Sequence, residues 1–241
     1  MSLMGKNLIQ QKRGKGSPTY RAPSFRYIGM AKYPRYGAEV IGTIQDIVHS
    51  QGHNCPLLDV EFNDGERCYL QAPEGVKVGD KIIVGENAEI KVGNVLPLKS
   101  IPEGTNIFNI ESNPGDGGKF VKGSGSYAKV SIKSGQRIMV VLPSNKKREF
   151  TPQCRASIGI IAGGGRTDKP FLKAGTKFHK MRAKNKLWPI VSGASMNAVN
   201  HPLGGRSSHA KGHQSTISRN APPGKKAGLI AARRTGRKRR V

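Results

Sequence analysis

Hydrophobic positions between residues 39 and 92 form short runs that alternate with polar positions. Four of these runs predict strands: Glu39–Ser50, Pro56–Phe62, Glu66–Gln71 and Lys81–Gly85. Asn63-Asp64-Gly65, between the second and third runs, is a hairpin turn signal. Short strands with turn signals every 8–12 residues or so are typical of a small barrel and not of a sheet with crossover helices. We therefore predict an oligonucleotide-binding-type β-barrel over residues 38–92.

A second set of short apolar runs follows between residues 93 and 168. Its members are Asn106–Glu111, Phe120–Lys122, Ala128–Lys133, Arg137–Leu142 and Ser157–Ile161. Five or six short strands in about 70 residues suggest an SH3-like β-barrel, which we place at 93–168. No segment has the apolar periodicity of a helix longer than two turns.

Charge is distributed unevenly along the chain. The sequence holds 41 Lys and Arg against 15 Asp and Glu, a formal net charge of +26. Residues 1–38 carry eight bases and no acid, and residues 169–241 carry 18 bases and no acid. Residues 39–120, in contrast, carry 13 acids and six bases. A surplus this large indicates a polyanionic partner, with nucleic acid the first candidate.

The acid-free ends complete the predicted domain organisation. We expect a basic N-terminal extension over 1–37 and a basic, extended C-terminal region over 169–241. Such segments bury too little apolar area to offset their ordering entropy, so they should order only against a polyanion; flexible solubilising tails are the alternative. The predicted fold is mainly β: an oligonucleotide-binding-type barrel followed by an SH3-like barrel, with long extended basic N- and C-terminal tails.

Two other classes of protein are disfavoured by the sequence. No stretch approaches about 18 consecutive apolar residues, and Gly, Pro and Ser interrupt the basic segments, so neither a membrane span nor a surface-bound amphipathic helix is predicted. The three cysteines, Cys55, Cys68 and Cys154, show no CxxC spacing. They indicate structural thiols in a reducing compartment, and neither a disulfide framework nor a zinc site.

A run of glycines, Gly163-Gly164-Gly165, stands before Arg166. Glycine leaves backbone N–H groups bare and lets the chain approach a phosphate closely. The run is neither a Walker motif nor a dinucleotide-binding fingerprint, because the GxxxxGK[ST] pattern is absent and no helix is predicted after it. We interpret it as a backbone contact with phosphate; a flexible interdomain hinge is the alternative.

Aromatic and basic residues interleave in the N-terminal extension. The set consists of Tyr20, Arg21, Phe25, Arg26, Tyr27, Lys32, Tyr33, Arg35 and Tyr36. Rings beside guanidinium groups suit unstacked bases and sugar edges. The same rings could instead pack the extension against the barrel, and the sequence does not favour one interpretation over the other.

Three histidines, His201, His209 and His213, lie in the C-terminal region. The i,i+4 spacing of the last two could form a metal face on a helix, but Gly212 interrupts it and no acid lies nearby in sequence. A catalytic triad lacks a carboxylate between Asp168 and the C-terminus. We therefore expect these histidines to contact bases or phosphates.

Three segments carry a resemblance to a known family: GKNLIQQKRGKGSPTYRAPSFRY, IGIIAGGGRTDKPFLKAG and GASMNAVNHPLGGRSSHAKG. From Met4 onward the chain resembles the universal large-subunit ribosomal protein family called L-two, in its archaeal and eukaryotic form. Met1–Leu3 precede the position where the family begins, which suggests an added leader or an upstream start. Where the bacterial form often reads HPHGG, this chain has Leu203.

The resemblance implies two barrels whose extended ends are threaded into large-subunit rRNA. The implied function is that of a structural constituent of the large ribosomal subunit, in the cytoplasm. Such a protein supports assembly of the peptidyl transferase centre, subunit association and transfer RNA binding. The implied partners are large-subunit rRNA, neighbouring ribosomal proteins and the small subunit at the subunit interface, with no membrane. We expect no metal, no other cofactor and no enzyme activity.

A histidine of the family's MNxVxHPxGG motif, here His201, has been proposed as catalytic, but peptide transfer is attributed to RNA, so we expect an rRNA contact. The expected rRNA-binding residues are Lys6, Lys12, Arg13, Lys15, Tyr20, Arg21, Arg26, Arg35, Arg155, Gly163, Gly164, Gly165, Arg166, Lys177, Lys180, Arg182, His201, Gly204, Gly205, Arg206, His209, His213, Arg219, Lys225, Arg233 and Arg234. Two functions compete with this one. An enzyme acting through His201 is disfavoured by the missing carboxylates, and a DNA-packaging protein by the folded centre and the aromatic N-terminal extension.

Overall fold

The computed structural model describes residues 9–34, 39–205 and 216–233. The chain divides into two compact units. The first, which we call the β unit, is Ser24–Leu172. The second, which we call the basic unit, combines Met1–Pro23 with Lys173–Val241.

The β unit is built on one ten-stranded sheet. Its strands are β1 Val40–Val48, β2 Leu57–Phe62, β3 Arg67–Gln71, β4 Lys81–Val84, β5 Val95–Pro97, β6 Asn106–Phe108, β7 Ala128–Ser134, β8 Arg137–Val141, β9 Lys147–Phe150 and β10 Arg155–Ile158. Their spatial order is β3-β2-β1-β4-β5-β10-β6-β7-β8-β9. Neighbouring strands are antiparallel except β4 and β5, which are parallel. The mainly β prediction is confirmed.

The hairpin predicted from Asn63-Asp64-Gly65 is present between β2 and β3. Leu57 lies opposite Gln71 at its open end, and Glu61 opposite Arg67 next to the turn. In the turn, the backbone N–H of Glu66 donates to Asp64 Oδ1 at 2.9 Å, an Asx-type contact that these residue types favour. The turn residues therefore predicted the pairing of β2 with β3 correctly.

Three details of the sheet differ from the sequence prediction. Strands β5 and β9 were not predicted, because β5 is only three residues long and β9 reads Lys-Arg-Glu-Phe with three exposed side chains. The run Phe120–Lys122 forms only an isolated bridge, between Phe120 and Ile110. Strands β3 and β9 are the outer strands of the sheet, so no closed barrel forms among the described residues.

Apolar side chains of the β unit form separate buried clusters. The largest gathers residues of β6–β10 with the segment after β5, including Leu98, Ile110 and Val140. A second lies on β1–β4 and includes Ile44 and Val60. A small third cluster consists of Ala31, Cys55, Leu57, Phe108 and Ile161, so the segment that precedes β1 contributes to the interior.

A buried ion pair joins β10 to the segment after β6. The guanidinium of Arg155 donates from Nη2 and Nε to Glu111 Oε1, at 2.8 and 3.1 Å, and its Nη1 donates to the Pro34 carbonyl at 3.1 Å. The side chains of Arg155 and Glu111 are only 8% and 0% exposed. Gly115 and Gly117 add backbone N–H donors to the same carboxylate. Every carboxylate oxygen thus has a partner, as a buried charge requires.

Tyr33 anchors the segment before β1 beside this ion pair. Its hydroxyl donates to the Asn109 carbonyl at 2.7 Å and lies 2.8 Å from Ser157 Oγ. The Arg155 guanidinium lies 5.3 Å from the centre of the Tyr33 ring. Burial raises the pKa of the Tyr33 hydroxyl, so it stays protonated and available as a donor. Tyr33 therefore packs the segment before β1 against the sheet.

The basic unit has little regular structure. Its described elements are the helices α1 Ile9–Gly14 and α2 Ala174–Ala183, the 3-10 turn Gly193–Ser195, and a parallel pair of two-residue strands, β11 Thr216–Ile217 and β12 Leu229–Ile230. The prediction of no helix longer than two turns was wrong, because α2 has ten residues. Helix α2 has no buried residue, so it shows no apolar stripe in the sequence. Among the described residues, no helix is long and apolar enough to span a membrane.

Candidate nucleic-acid interface

The basic unit has no internal acid to balance its cations. It contains five Lys and Arg in its N-terminal part and 17 in its C-terminal part, and no Asp or Glu in either. No side-chain ion pair can therefore form inside it. Counter-charge has to come from outside the unit, and nucleic acid is a polyanion with the charge density to match it.

Most of the predicted contact residues that the structure describes are on the surface. In the basic unit, Tyr20, Lys177 and Lys180 are half-buried. The exposed ones are Lys12, Arg13, Lys15, Arg21, Arg182, Arg219, Lys225 and Arg233, with Arg26 and Arg166 in the β unit. Six predicted residues lie outside the described part of the chain: Lys6, Arg35, Arg206, His209, His213 and Arg234.

Asn185, which the sequence analysis did not single out, joins the two parts of the basic unit. Its side-chain Nδ2 donates to the carbonyls of Pro18 and Arg21, at 2.8 and 2.7 Å. Asn185 follows α2 and has a φ of 49°, the left-handed conformation in which helices often end and which asparagine tolerates. One amide therefore fastens the basic N-terminal segment to the end of a basic helix.

Replacing Asn185 with glycine should loosen this junction. Glycine keeps the left-handed backbone and removes only the amide, so two hydrogen bonds are lost at a cost of about 1–3 kcal/mol. We expect faster hydrogen exchange at the amides of Tyr20 and Arg21 in the full chain, because both donate to the Ser17 carbonyl in the fastened segment. Asn220→Gly is the matched control. Unchanged hydrogen exchange in the Asn185 variant would contradict the role of the Asn185 amide in this junction.

The glycine run after Ile161 forms an exposed turn in the β unit. The backbone N–H groups of Gly163, Gly164 and Gly165 donate to no other described residue. A Cβ added to Gly125 would lie 2.6 Å from the Cα of Gly164, so two glycine loops approach more closely than any side chain would permit. The Gly163–Gly165 loop therefore offers an anion three N–H donors that have no acceptor in the described part of the chain.

Side chains around these loops carry both signs of charge. Arg166 Nε donates to Ser124 Oγ at 3.1 Å, which holds the guanidinium over the neighbouring loop. Glu74 Oε1 would lie 3.6 Å from a Cβ on Gly164, and Asp168 Oδ2 3.8 Å from one on Gly165. A phosphate would therefore approach from the side away from these carboxylates, or with a counter-ion.

His201 lies in a compact turn of the basic unit. Its Nδ1 accepts a hydrogen bond from the backbone N–H of Leu203 at 3.1 Å, which assigns the proton of the neutral ring to Nε2. The imidazole packs directly on Gly193, because a Cβ there would lie 2.2 Å from its Cε1. The Gly204 N–H donates to the His201 carbonyl at 2.9 Å. One ring nitrogen therefore shapes the turn, and Nε2–H has no acceptor among the residues that the structure describes.

Some aromatic residues before β1 pack against the β unit, and one is open to solvent where a base could stack on it. Tyr33 is buried, and Tyr27 packs on Gly52. Phe25, in contrast, is 82% exposed, with the Arg26 guanidinium 5.3 Å from its ring centre. Phe25 and Arg26 thus present a stacking face and a cation to solvent.

Two cations of the β unit form their contacts inside the unit. Arg155 is committed to Glu111 and is buried, although the sequence predicted it as an RNA contact. Lys122 Nζ donates to the carbonyls of Ala31 and Gly118, at 2.9 and 3.2 Å, and burial lowers the pKa of its ammonium group. Neither residue presents its charge to a ligand, and the sequence does not distinguish them from the exposed cations.

The cysteines are placed as packing residues. All three are free thiols, and Cys55 and Cys154 are buried in apolar clusters. Burial raises the pKa of both thiols, and burial together with nearby acids raises the pKa of Cys68 to about 12. Protonated thiols are poor metal ligands. In the part of the chain that the structure describes, no group of three or more His, Cys, Asp or Glu is placed to hold a metal ion.

Comparison with known proteins gives a consistent result over nearly the whole chain. Residues 91–225 match the family model "Ribosomal Proteins L2, C-terminal domain". The large ribosomal subunit protein uL2 of Archaeoglobus fulgidus is 52% identical over 237 residues, covering 98% of this chain and 100% of the relative.

Further relatives agree with this match. The proteins of the same name from Methanocella arvoryzae and Haloarcula marismortui are 53% and 50% identical, each covering 97% of this chain and 99% and 98% of the relative. Identity at this level over nearly the full length of both partners establishes common descent and a shared fold. The chain therefore belongs to the uL2 family of large ribosomal subunit proteins.

Proposed function

We propose that the chain is a structural constituent of the large ribosomal subunit that binds large-subunit rRNA. The observation that carries the proposal is the composition of the basic unit, which holds 22 Lys and Arg and no Asp or Glu. Binding rRNA neutralises these charges and releases the counterions condensed on the phosphates. Membership of the uL2 family supports the same conclusion.

The contacts divide by chemistry. Exposed cations such as Lys12, Arg182 and Lys225 face phosphates and position the protein without reading sequence. Phe25 stacks on an unpaired base, with Arg26 beside it. The free N–H groups of Gly163–Gly165 bind phosphate oxygens. Arg155 is left out of this set because Glu111 already holds its charge.

The proposal includes the predicted organisation and role in the subunit. Residues 38–92 correspond to an oligonucleotide-binding-type half and residues 93–168 to an SH3-like half of the sheet, between a basic extension at 1–37 and a basic region at 169–241. The protein acts in cytoplasmic ribosomes. There it supports assembly of the peptidyl transferase centre, transfer RNA binding and association with the small subunit, next to other ribosomal proteins.

Two measurements test the proposal. The full chain should bind large-subunit rRNA more tightly than duplex DNA of equal length at equal salt, since stacking on unpaired bases is available only in structured RNA. It should also co-sediment with large subunits after a high-salt wash. Equal affinity for both polymers, together with loss from the subunit in the wash, would favour a charge-only packaging protein.

Two variants of His201 separate its structural role from proton transfer. Asn places an acceptor where Nδ1 meets the Leu203 N–H, whereas Gln places a donor near Nε2. We expect both variants to keep the chemical-step rate of peptide-bond formation within about tenfold in assembled subunits, because a general base would supply about 10²–10⁴. Only His201→Gln should speed hydrogen exchange at the Leu203 amide. A hundredfold loss of rate in both variants, with normal subunit composition, would support a catalytic role for His201.

A further inference from the structure

A cleft of about 370 Å³ opens at the end of the β7–β8 ladder. It lies between the loop that leads into β7 and the turn that follows β8. Its lining residues are Gly125, Ser126, Tyr127, Lys129, Val141, Leu142, Pro143 and Asn145. Lys129 and Val141, both in this lining, are cross-strand partners. We call this the β7–β8 cleft; its volume falls in the range of about 300–1,000 Å³ that small-ligand sites occupy.

Three side chains in the cleft have unused polar groups. Tyr127 is 43% exposed, and its hydroxyl forms no hydrogen bond with the residues that the structure describes. The Lys129 ammonium pairs with none of the described carboxylates, and the cleft lining includes no Asp or Glu. Asn145, with a φ of 61°, holds the turn after β8 and leaves its side-chain amide unpaired within the described residues. An aromatic face, a cation and an amide are thus available together.

The cleft is continuous with the glycine loops. Gly125 lines the cleft and is also the residue that packs on Gly164. The free N–H groups of Gly163–Gly165 therefore lie next to the cleft. A polymer with regularly spaced anions can use both places at once, and a single small anion cannot.

We propose that the β7–β8 cleft holds one unpaired nucleotide of the RNA. The base stacks on Tyr127, the flanking phosphate meets the Lys129 ammonium, and the Asn145 amide reads the base edge. The strand then continues over the glycine loops. This inference rests on the proposed function and goes beyond it, because it assigns to the SH3-like half a base-binding site that charge counting does not indicate. RNA is favoured over a peptide because the only charged lining residue is basic and the adjoining loops offer N–H donors.

The test uses the full chain and large-subunit rRNA, free and in reconstituted subunits. Tyr127→Leu should weaken rRNA binding about 5- to 150-fold through lost stacking, and Tyr127→Phe should stay within about twofold of the original chain. Lys129→Gln should reduce the slope of log affinity against log salt by about one. Ile132→Ala, at an exposed site of β7 outside the cleft, and Lys81→Gln, on β4, are the matched controls and should leave affinity and slope unchanged.

Chemical probing of the rRNA in reconstituted subunits gives an independent readout. The same short stretch of nucleotides should become reactive with Tyr127→Leu and with Lys129→Gln, and with neither control. If Tyr127→Leu does not fold, Lys129→Gln still tests the proposal.

Each other outcome has a separate meaning. Tight binding by the original chain with no change in either cleft variant would overturn the cleft assignment and leave the proposed function standing. Crosslinks from Tyr127 of the original chain to a neighbouring protein, with rRNA reactivity unchanged in both cleft variants, would mean that a peptide occupies the cleft. Failure of the original chain itself to select rRNA would overturn the proposed function.

Discussion

Raising the salt concentration from about 50 mM to about 200 mM should weaken binding of this chain to large-subunit rRNA by a factor of about 10³–10⁵. The expectation follows from an interface of about 6–10 phosphate contacts, each of which releases condensed counterions when it forms. The basic unit supplies more than enough cations, because it contains 22 Lys and Arg and no Asp or Glu. The measurement is the slope of log affinity against log salt.

Single charge deletions make the prediction specific to the basic unit. Arg182→Gln or Lys225→Gln, both at exposed sites, should each lower the slope by about one. Lys99→Gln is the control in the β unit, since Lys99 already forms an ion pair with Glu86. A slope near zero in the original chain, or equal changes in all three variants, would contradict an interface centred on the basic unit.

Replacing Glu111 with alanine should lower the free energy of unfolding of the β unit by about 3–5 kcal/mol. The cause is the charge that remains: Arg155 is 8% exposed, so its guanidinium would stay buried without a counter-charge. The backbone N–H groups of Gly115 and Gly117 would also lose their acceptor. Urea unfolding of the full chain, followed by far-ultraviolet circular dichroism, measures the change.

Glu149→Ala is the matched control for this experiment. Glu149 pairs with Arg137 at 2.5 Å, but the two side chains are 50% and 72% exposed, so solvent screens the pair and its loss should cost less than about 1 kcal/mol. Equal destabilisation by the two variants would show that burial does not decide the strength of these pairs. Salt should weaken the Arg137–Glu149 pair and leave the Arg155–Glu111 pair nearly unchanged.

Strand prediction succeeded where local chemistry and burial agree. The β2–β3 hairpin combines a turn signal with two apolar runs, and β7 and β8 alternate buried and exposed positions. It failed at β9, whose first three side chains are charged and exposed although the strand pairs with β8 in the ladder. It failed also at α2, which has no buried face. Strand β9 has a single buried side chain, Phe150, and α2 has none, so hydrophobic patterning carries too little signal to predict either element.

Site prediction from the sequence selected residues by type and could not assign their surroundings. Arg155 and Arg166 look alike in the sequence, yet one is buried against Glu111 and the other is exposed beside Ser124. Likewise, Tyr33 and Phe25 belong to one aromatic series, yet the first is buried and the second is open to solvent. Partners from distant parts of the chain decide these cases, and their positions depend on the register of the whole sheet.

The sequence by itself determined the β-rich centre, the acid-free ends and the family resemblance, since these depend on local propensity, on composition and on motifs that are continuous along the chain. Only the tertiary structure decided which cations are available to a ligand and which stabilise the interior. It also brought Asn185 to the carbonyls of Pro18 and Arg21, and Gly125 to Gly164. Availability is a property of burial and of partners far away in sequence, and both arise only when the chain has folded.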